Sequence, residues 1–197
     1  MNERLEPGKV PWEVIAGRLG TVLPPEVVLG PGHGEDAALV RIGGETWAIA
    51  TDPITFASQQ AGRLAVVVNA NDVAVRGATP RLFLAVVLLS PDDASPEGIT
   101  VILDQIRETC HSLGVFLIGG HTEVSPGLRH SVVVGTMLGP VTTRPITTHG
   151  VRPGDLIGLT RWAGLEGTAI LLAERGDSLR ALHTEEPLRP LESLIQG

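Results

Sequence analysis

The chain has 197 residues, 43% of them apolar and 19% charged, a composition that supports a buried core and excludes wholesale disorder. Its formal charge of -7, with Lys and Arg scattered along the chain, excludes a general affinity for nucleic acid, which needs a basic stripe. The single cysteine, Cys110, excludes an internal disulfide, and no apolar run reaches the roughly 20 residues of a membrane span. The polar, acidic N-terminus does not read as a signal peptide, so a cytoplasmic location is expected.

In chain order, Pro11 followed by WEVIAGRLG predicts a short helix with proline in its first turn and Gly20 at its end. Leu23 to Gly34, rich in Pro and Gly, is expected to be a loop. Two strands follow, Ala37 to Ile42 and Thr46 to Thr51, joined as a hairpin by Gly43-Gly44. Ala61 to Arg76 has the length of a helix and is apolar almost all round, with Asn69, Asp72 and Arg76 on one stripe. Gly77 and Pro80 stop it, and Leu82 to Leu89 reads as a buried strand.

Ser95-Pro96-Glu97 opens a second long helix with Ser as N-cap. Its core-facing stripe is Ile99, Ile102, Leu103, Ile106, Cys110 and Leu113, which makes Cys110 a core thiol. Val115 to Ile118 is then a short strand, Gly119 to Arg129 a polar loop, and Ser131 to Leu138 another strand. This order is α+β, a sheet with helices on one face. Too few helices are present to cover both faces of strands such as LFLAVVLL and SVVVGTML, so a homodimer is expected. Thr142 to Gly154 reads as a linker, Asp155 to Thr160 as strand-like and Leu165 to Arg175 as helical. The tail ending PLRPLESLIQG is too short to complete a second core.

Four clusters can carry chemistry: Gly34-Glu35-Asp36 before a strand, Thr51-Asp52-Pro53 at a strand end, Asn71-Asp72 inside the apolar helix, and Gly119-Gly120-His121-Thr122-Glu123 after a strand. Each alone has an ordinary reading as a turn, a cap or a strand terminator. Together they are harder to dismiss, because an unpaired charge on a helix with so apolar a surround is costly to bury. Magnesium ions with a triphosphate are one partner that satisfies several carboxylates at once. The GPGHG run at Gly30 to Gly34 is not a dinucleotide fingerprint, because a strand rather than a helix follows it. His130, His149 and His183 have no metal-ligand spacing and read as solvent-facing.

The succession GEDAALV, TDP, NDVAVRGATP and GGHTEV resembles the PurM-like superfamily of aminoimidazole-ribonucleotide (AIR) synthetase. That group includes thiamine-monophosphate kinase, selenophosphate synthetase and the hydrogenase-maturation protein HypE, and the similarity runs over roughly residues 30 to 175. It is strongest toward HypE-like, AIR-synthase-related members. The resemblance implies a PurM N-terminal-like mixed sheet that closes into a barrel across a dimer, with ATP and Mg2+ bound by the N-terminal domain. It implies that Asp36, Asp52 and Asp72 hold metal or nucleotide, with Asn71 beside them in the same motif. It implies that Gly119, Gly120 and Thr122 form a phosphate-proximal turn, and that Arg144 stands where the kinase branch contacts phosphate. His121 is placed with the nucleotide-binding residues, although most branches carry Asp there. Neither the C-terminal cysteine of HypE nor the N-terminal Cys or selenocysteine of selenophosphate synthetase is present, so neither activity is expected.

The resulting expectation is an ATP-binding and dimerisation domain over residues 1–141, a linker over 142–154 and a partial α/β C-terminal domain over 155–197. The expected function is ATP-dependent phosphorylation or phosphate activation of a small substrate that the sequence does not identify. The alternative is a nucleotide-binding or dimerisation module without turnover. No residue stands out as catalytic in the narrow sense.

Overall fold

The computed structural model describes residues 4–20, 22–55, 59–160 and 162–182. Its elements are α1 (Trp12–Ile15), β1 (Val27–Leu29), β2 (Ala38–Ile42), β3 (Glu45–Ile54), α2 (Ala61–Ala74), β4 (Leu82–Leu89), α3 (Pro96–Ser112), β5 (Phe116–Val124), β6 (Val132–Pro140) and α4 (Leu165–Leu182). The strands form one six-stranded mixed sheet in the order β1-β2-β3-β6-β4-β5. Only the β4–β5 pair is parallel, and α3 makes its crossover.

The sheet has two unlike faces. Along β4 and β6 every second residue is buried, so Phe83, Ala85, Val87 and Leu89 share one face with Val133, Gly135 and Met137. This face packs with α2 and α3 around Val66, Val73, Ile102 and Ile106. The opposite face carries the half-buried Leu84, Val86, Leu88, Val134 and Leu138. The α+β architecture with helices on one face is therefore as expected.

The helix ends follow their local chemistry. Ser95 caps α3, its Oγ accepting from the Gly98 N–H at 2.9 Å, and Pro96 sits where its missing N–H costs nothing. Helix α2 has no side-chain cap of its own. Gln105 of α3 supplies one, with Oε1 accepting from the Gly62 N–H at 3.1 Å and Nε2 donating to the Gln59 carbonyl at 2.8 Å. The two helices can come this close because residue 62 lacks a side chain: a Cβ there would stand 2.4 Å from the Ile102 carbonyl oxygen. The hairpin of β2 and β3 turns on Gly43 and Gly44, both at positive φ (58° and 90°), as a two-residue primed turn requires.

Several expectations are corrected. The first helix is a single turn at Trp12–Ile15, and the α3 stripe is narrower than the pattern implied, with Leu103 and Leu113 exposed. Strand β1 forms inside the Pro/Gly segment expected to be loop, because Val27 and Leu29 pair with β2. Strand β3 runs on through Asp52-Pro53 to Ile54, where β6 alone is its partner and the absent proline N–H is tolerated. Gly119 to Val124 is strand rather than polar loop: β4 supplies a parallel ladder that the sequence pattern does not show. Gly120 lies so close to β4 that a Cβ would fall 1.7 Å from the Ala85 carbonyl oxygen. Asp155 to Thr160 is not a strand, having no described strand beside it, and Leu156 and Ile157 are almost fully exposed. The helical expectation beyond it extends to Leu182, with a break in helical geometry at Arg175. His183 and the tail from PLRPLESLIQG lie outside the described residues.

The 142–149 segment does not hang free. The Thr142 and Ile146 N–H groups donate to the Gly77 and Arg76 carbonyls, and Thr148 Oγ1 donates to the Gly34 carbonyl. Gly77 permits this, since a Cβ there would stand 2.5 Å from the Arg144 carbonyl oxygen.

One packing detail positions the Asp52 corner. Gly135 in β6 pairs with Asp52 of β3, and a Cβ on it would lie 2.4 Å from Asn69 Nδ2 and 2.8 Å from the Phe83 ring. Gly135→Ala is expected to cost about 1–3 kcal/mol of stability through overpacking. Urea unfolding monitored by circular dichroism measures it, and an unchanged midpoint would show that Asn69 and Phe83 can give way.

Candidate functional site

The site begins with a buried amide. Asn69 projects from α2 with no solvent exposure, into the interior where an amide is costly unless every polar atom is satisfied. Its Oδ1 accepts from the Asp52 N–H at 2.8 Å, and its Nδ2 donates to the Asp52 carbonyl at 3.2 Å and to the Ala65 carbonyl at 2.8 Å. The side chain thus pairs with the Asp52 backbone as a neighbouring strand would. This fixes where the Asp52 carboxylate emerges from β3.

Asp72, three residues further along α2, comes beside it. Burial pushes its pKa up from 3.8 to about 6, and the charges of Asp52 and then Asp36 push in the same direction, against Lys9 and Arg76. Asp36, Asp52 and Asp72 are therefore within electrostatic reach of one another at the junction of the 30–37 segment, β3 and α2. Among the described residues no three Asp, Glu, His or Cys side chains converge closely enough to form a ready-made metal cage.

Behind this cluster lies a buried ion pair. Arg76, just past the end of α2, has 2% of its side chain exposed and pairs through Nη1 with Glu35, which is equally buried. Glu35 also meets His149 Nδ1 at 2.8 Å and accepts from the Thr148 N–H at 3.3 Å. Burial raises the Glu35 pKa, but the His149 hydrogen bond, the Arg76 charge and the Thr148 donors together outweigh it and leave the carboxyl below its ordinary range. His149, expected to be merely solvent-facing, is 73% exposed yet bonded to this buried acid. His130 is exposed, as expected.

The other expected site residues are placed elsewhere. Asn71 is exposed on α2 beside Asp72. Arg144 is exposed in the segment that wraps the end of α2. Gly119, Gly120, His121 and Thr122 lie in β5, and the row Asp52–Gly135–Ala85–Gly120 puts two strands between them and β3. At roughly 4.8 Å per strand that is about 14 Å, so this chain does not bring them against the aspartates. His121 is 60% exposed, with Nε2 3.1 Å from Glu123 Oε2, while Ser125 Oγ donates to the other Glu123 oxygen at 2.7 Å. These bonds, Ser125 first, lower the Glu123 pKa.

Sequence reasoning missed the roles of Glu35, Asn69, Lys9 and the Thr148-His149 pair. The available signal was a charged Arg76 at the end of a helix apolar enough to be buried, which demands a counter-charge. An open groove of about 600 Å³ between Glu45, Trp47, Arg81 and Pro140 lies at the other end of these strands, away from the carboxylates. No helix among the described residues is long and apolar enough to cross a membrane.

Comparison with known proteins agrees with this fold. Residues 34–141 match the family described as AIR synthase related protein, N-terminal domain. A putative hydrogenase expression/formation protein of Methanocaldococcus jannaschii is 32% identical over 168 residues, covering 82% of this chain and 50% of that protein. A selenide, water dikinase of Dechloromonas aromatica is 27% identical over 78% of this chain and 44% of its own length. A thiamine-monophosphate kinase of Archaeoglobus fulgidus is 27% identical over 87% and 58%. A crystal structure of a Thermus thermophilus protein shares the fold at a TM-score of 0.71 and 23% identity, covering 92% of this chain and 58% of that one. The chain spans about half the length of the curated relatives it matches.

The charge cluster gives a test of its own. The folded-state pKa of Asp72 is raised, so its contribution to stability is complete below 3.8 and is lost as pH rises through about 6. Without divalent cations, Asp72→Asn should therefore unfold at higher urea than the parent at pH 7.5, with the difference shrinking toward pH 4. A variant less stable than the parent at pH 7.5 would make Asp72 a structural acceptor instead.

Proposed function

The chain belongs to the AIR synthase related family, and on that premise we propose that it binds ATP with Mg2+ at the Asp36–Asp52–Asp72 cluster. The observation that carries this reading is the placement of Asp36, Asp52 and Asp72 at one junction, where burial first and then the charges of Asp52 and Asp36 raise the Asp72 pKa to about 6 and a cation would offset the repulsion. Carboxylate oxygens are the hard donors that Mg2+ prefers. One or two of them suffice when waters and phosphate oxygens complete the octahedron, so a prebuilt cage is not required.

The chemistry proposed is phosphoryl transfer to an oxygen of a small substrate, in keeping with the dikinase and kinase named among the relatives. Bound Mg2+ would supply neutralisation of phosphate charge. The protein's part is positional. Asn69 holds the Asp52 backbone, α2 presents Asp72, and the buried Glu35–Arg76 pair anchors the loop that carries Asp36. Asn71, Gly119, Gly120, His121, Thr122 and Arg144 complete the proposed nucleotide contacts, the β5 residues meeting parts of the ligand remote from the aspartates. The distance of β5 from the aspartates favours a second reading, a nucleotide-binding or dimerisation module without turnover.

The apolar sheet face opposite the helices is proposed to pair with a second copy, closing a barrel across a homodimer. Residues 1–141 then form the nucleotide-binding and dimerisation domain, 142–154 the connection and 155–197 part of a C-terminal domain, in a cytoplasmic protein.

Isothermal calorimetry with a non-hydrolysable ATP analogue tests the site. Binding should require Mg2+, and Asp52→Asn should weaken it more than about tenfold, the equivalent of about 1.4 kcal/mol. Magnesium-independent binding, or full affinity in the variant, would place the nucleotide elsewhere. Light scattering at micromolar concentration should give twice the chain mass, and a monomeric mass would refute the barrel.

A further inference from the structure

The Arg76 guanidinium is only half used. Nη1 pairs with Glu35 and donates to the Ile146 carbonyl at 3.3 Å. Nε and Nη2 are buried and have no hydrogen-bond partner among the described residues. These two nitrogens form the side-on edge of the guanidinium, the fork that receives a carboxylate through two parallel bonds. Leaving both donors buried and unsatisfied is costly, so an acceptor that turned toward them would be stabilised.

Asp36 stands nearby. Its Oδ2 lies 3.9 Å from Nη2, an ion-pair distance too long for a hydrogen bond, and 57% of its side chain is exposed. Of the three aspartates it is the one placed to move. The Asp52 backbone is gripped by Asn69 and Asp72 sits within α2, whereas Asp36 lies outside any helix or strand. Arg76 is itself held by Glu35 and Ile146, so closing the fork would fall to Asp36.

We propose that Asp36 is shared between two partners, the vacant edge of Arg76 and a divalent cation at the aspartate cluster, so that Arg76 competes with the cation and sets the concentration at which the site loads. The inference rests on the reading of the aspartates as a cation site. With no cation, Asp36 closes on Nε and Nη2. A bound cation draws it away.

Mn2+ alone, titrated without nucleotide and followed by the electron paramagnetic resonance of the free ion, tests this on the full chain. The variants are Arg76→Lys, Arg76→Met and the double variant Glu35→Gln/Arg76→Met, which spares Glu35 a buried charge without a partner should Arg76→Met fail to fold. Lysine keeps the positive charge near Glu35 but has no fork. All folded variants should bind Mn2+ more tightly than the parent, by several-fold to roughly tenfold. In an Asp36→Asn background the effect of Arg76→Lys should disappear. Parent-like affinity in Arg76→Lys with tighter binding in Arg76→Met would mean simple charge repulsion, and would overturn the sharing. Weaker binding in every variant would mean that Arg76 only props up the loop, and would also overturn it. A parent protein that binds no Mn2+ on its own would overturn the sharing, while the Mg2+-dependent binding of the ATP analogue separately decides the proposed function.

Discussion

The structure depends on the way a single side-chain amide replaces a strand. Asn69 offers the Asp52 backbone the acceptor and donor that a neighbouring strand would otherwise supply, from inside a helix and without access to water. That arrangement needs an apolar helix lying directly on the sheet, a long β3 and a glycine on β6 to make room. It also determines where the carboxylates stand. With the Asp52 backbone fixed and α2 fixed against it, Asp72 emerges beside Asp52. The packing that stabilises this corner is thus the packing that buries Asp72 and sets Asp52 and Asp36 near it, and its elevated pKa results from the burial first and the two charges second.

The corner has a second layer of opposite character. Around the Glu35–Arg76 pair, charge is balanced and mostly hydrogen-bonded, and Thr148 and His149 tie the 142–149 segment over it. A buried pair of this kind is weak evidence for net stability, because desolvating both ions offsets most of their attraction. Its clearer contribution is register. It joins the loop before β2, the end of α2 and a segment more than a hundred residues further along the chain, and Asp36 sits at that junction.

How much of this could be read from the residues differs by element for physical reasons. The Gly43-Gly44 hairpin, the Ser95-Pro96 helix start and the alternating β4 and β6 were legible, because local sequence determines each of them. Strands β1 and β5 were not. One is three residues in a Pro/Gly-rich stretch, the other is broken by glycines and polar residues, and both exist because a neighbouring strand offers a ladder. At the site, the aspartates stood out as charges in apolar surroundings. Their supports did not, since the Asn69–Asp52 bonds span 17 residues and the His149–Glu35 bond spans 114.

The two margins of the sheet are unequal. Strand β1 offers three residues and an interrupted register, which is little for another chain to pair with. Strand β5 offers nine exposed residues, among them Phe116, Leu117 and Ile118, with its outer ladder unmatched among the described residues. An assembly that grows by adding strands needs two good edges on every molecule. With one, two molecules can meet edge to edge, and neither is left with a template for a third. With β1 this short, any pairing through β5 would leave little ladder for a third molecule, which disfavours fibrils.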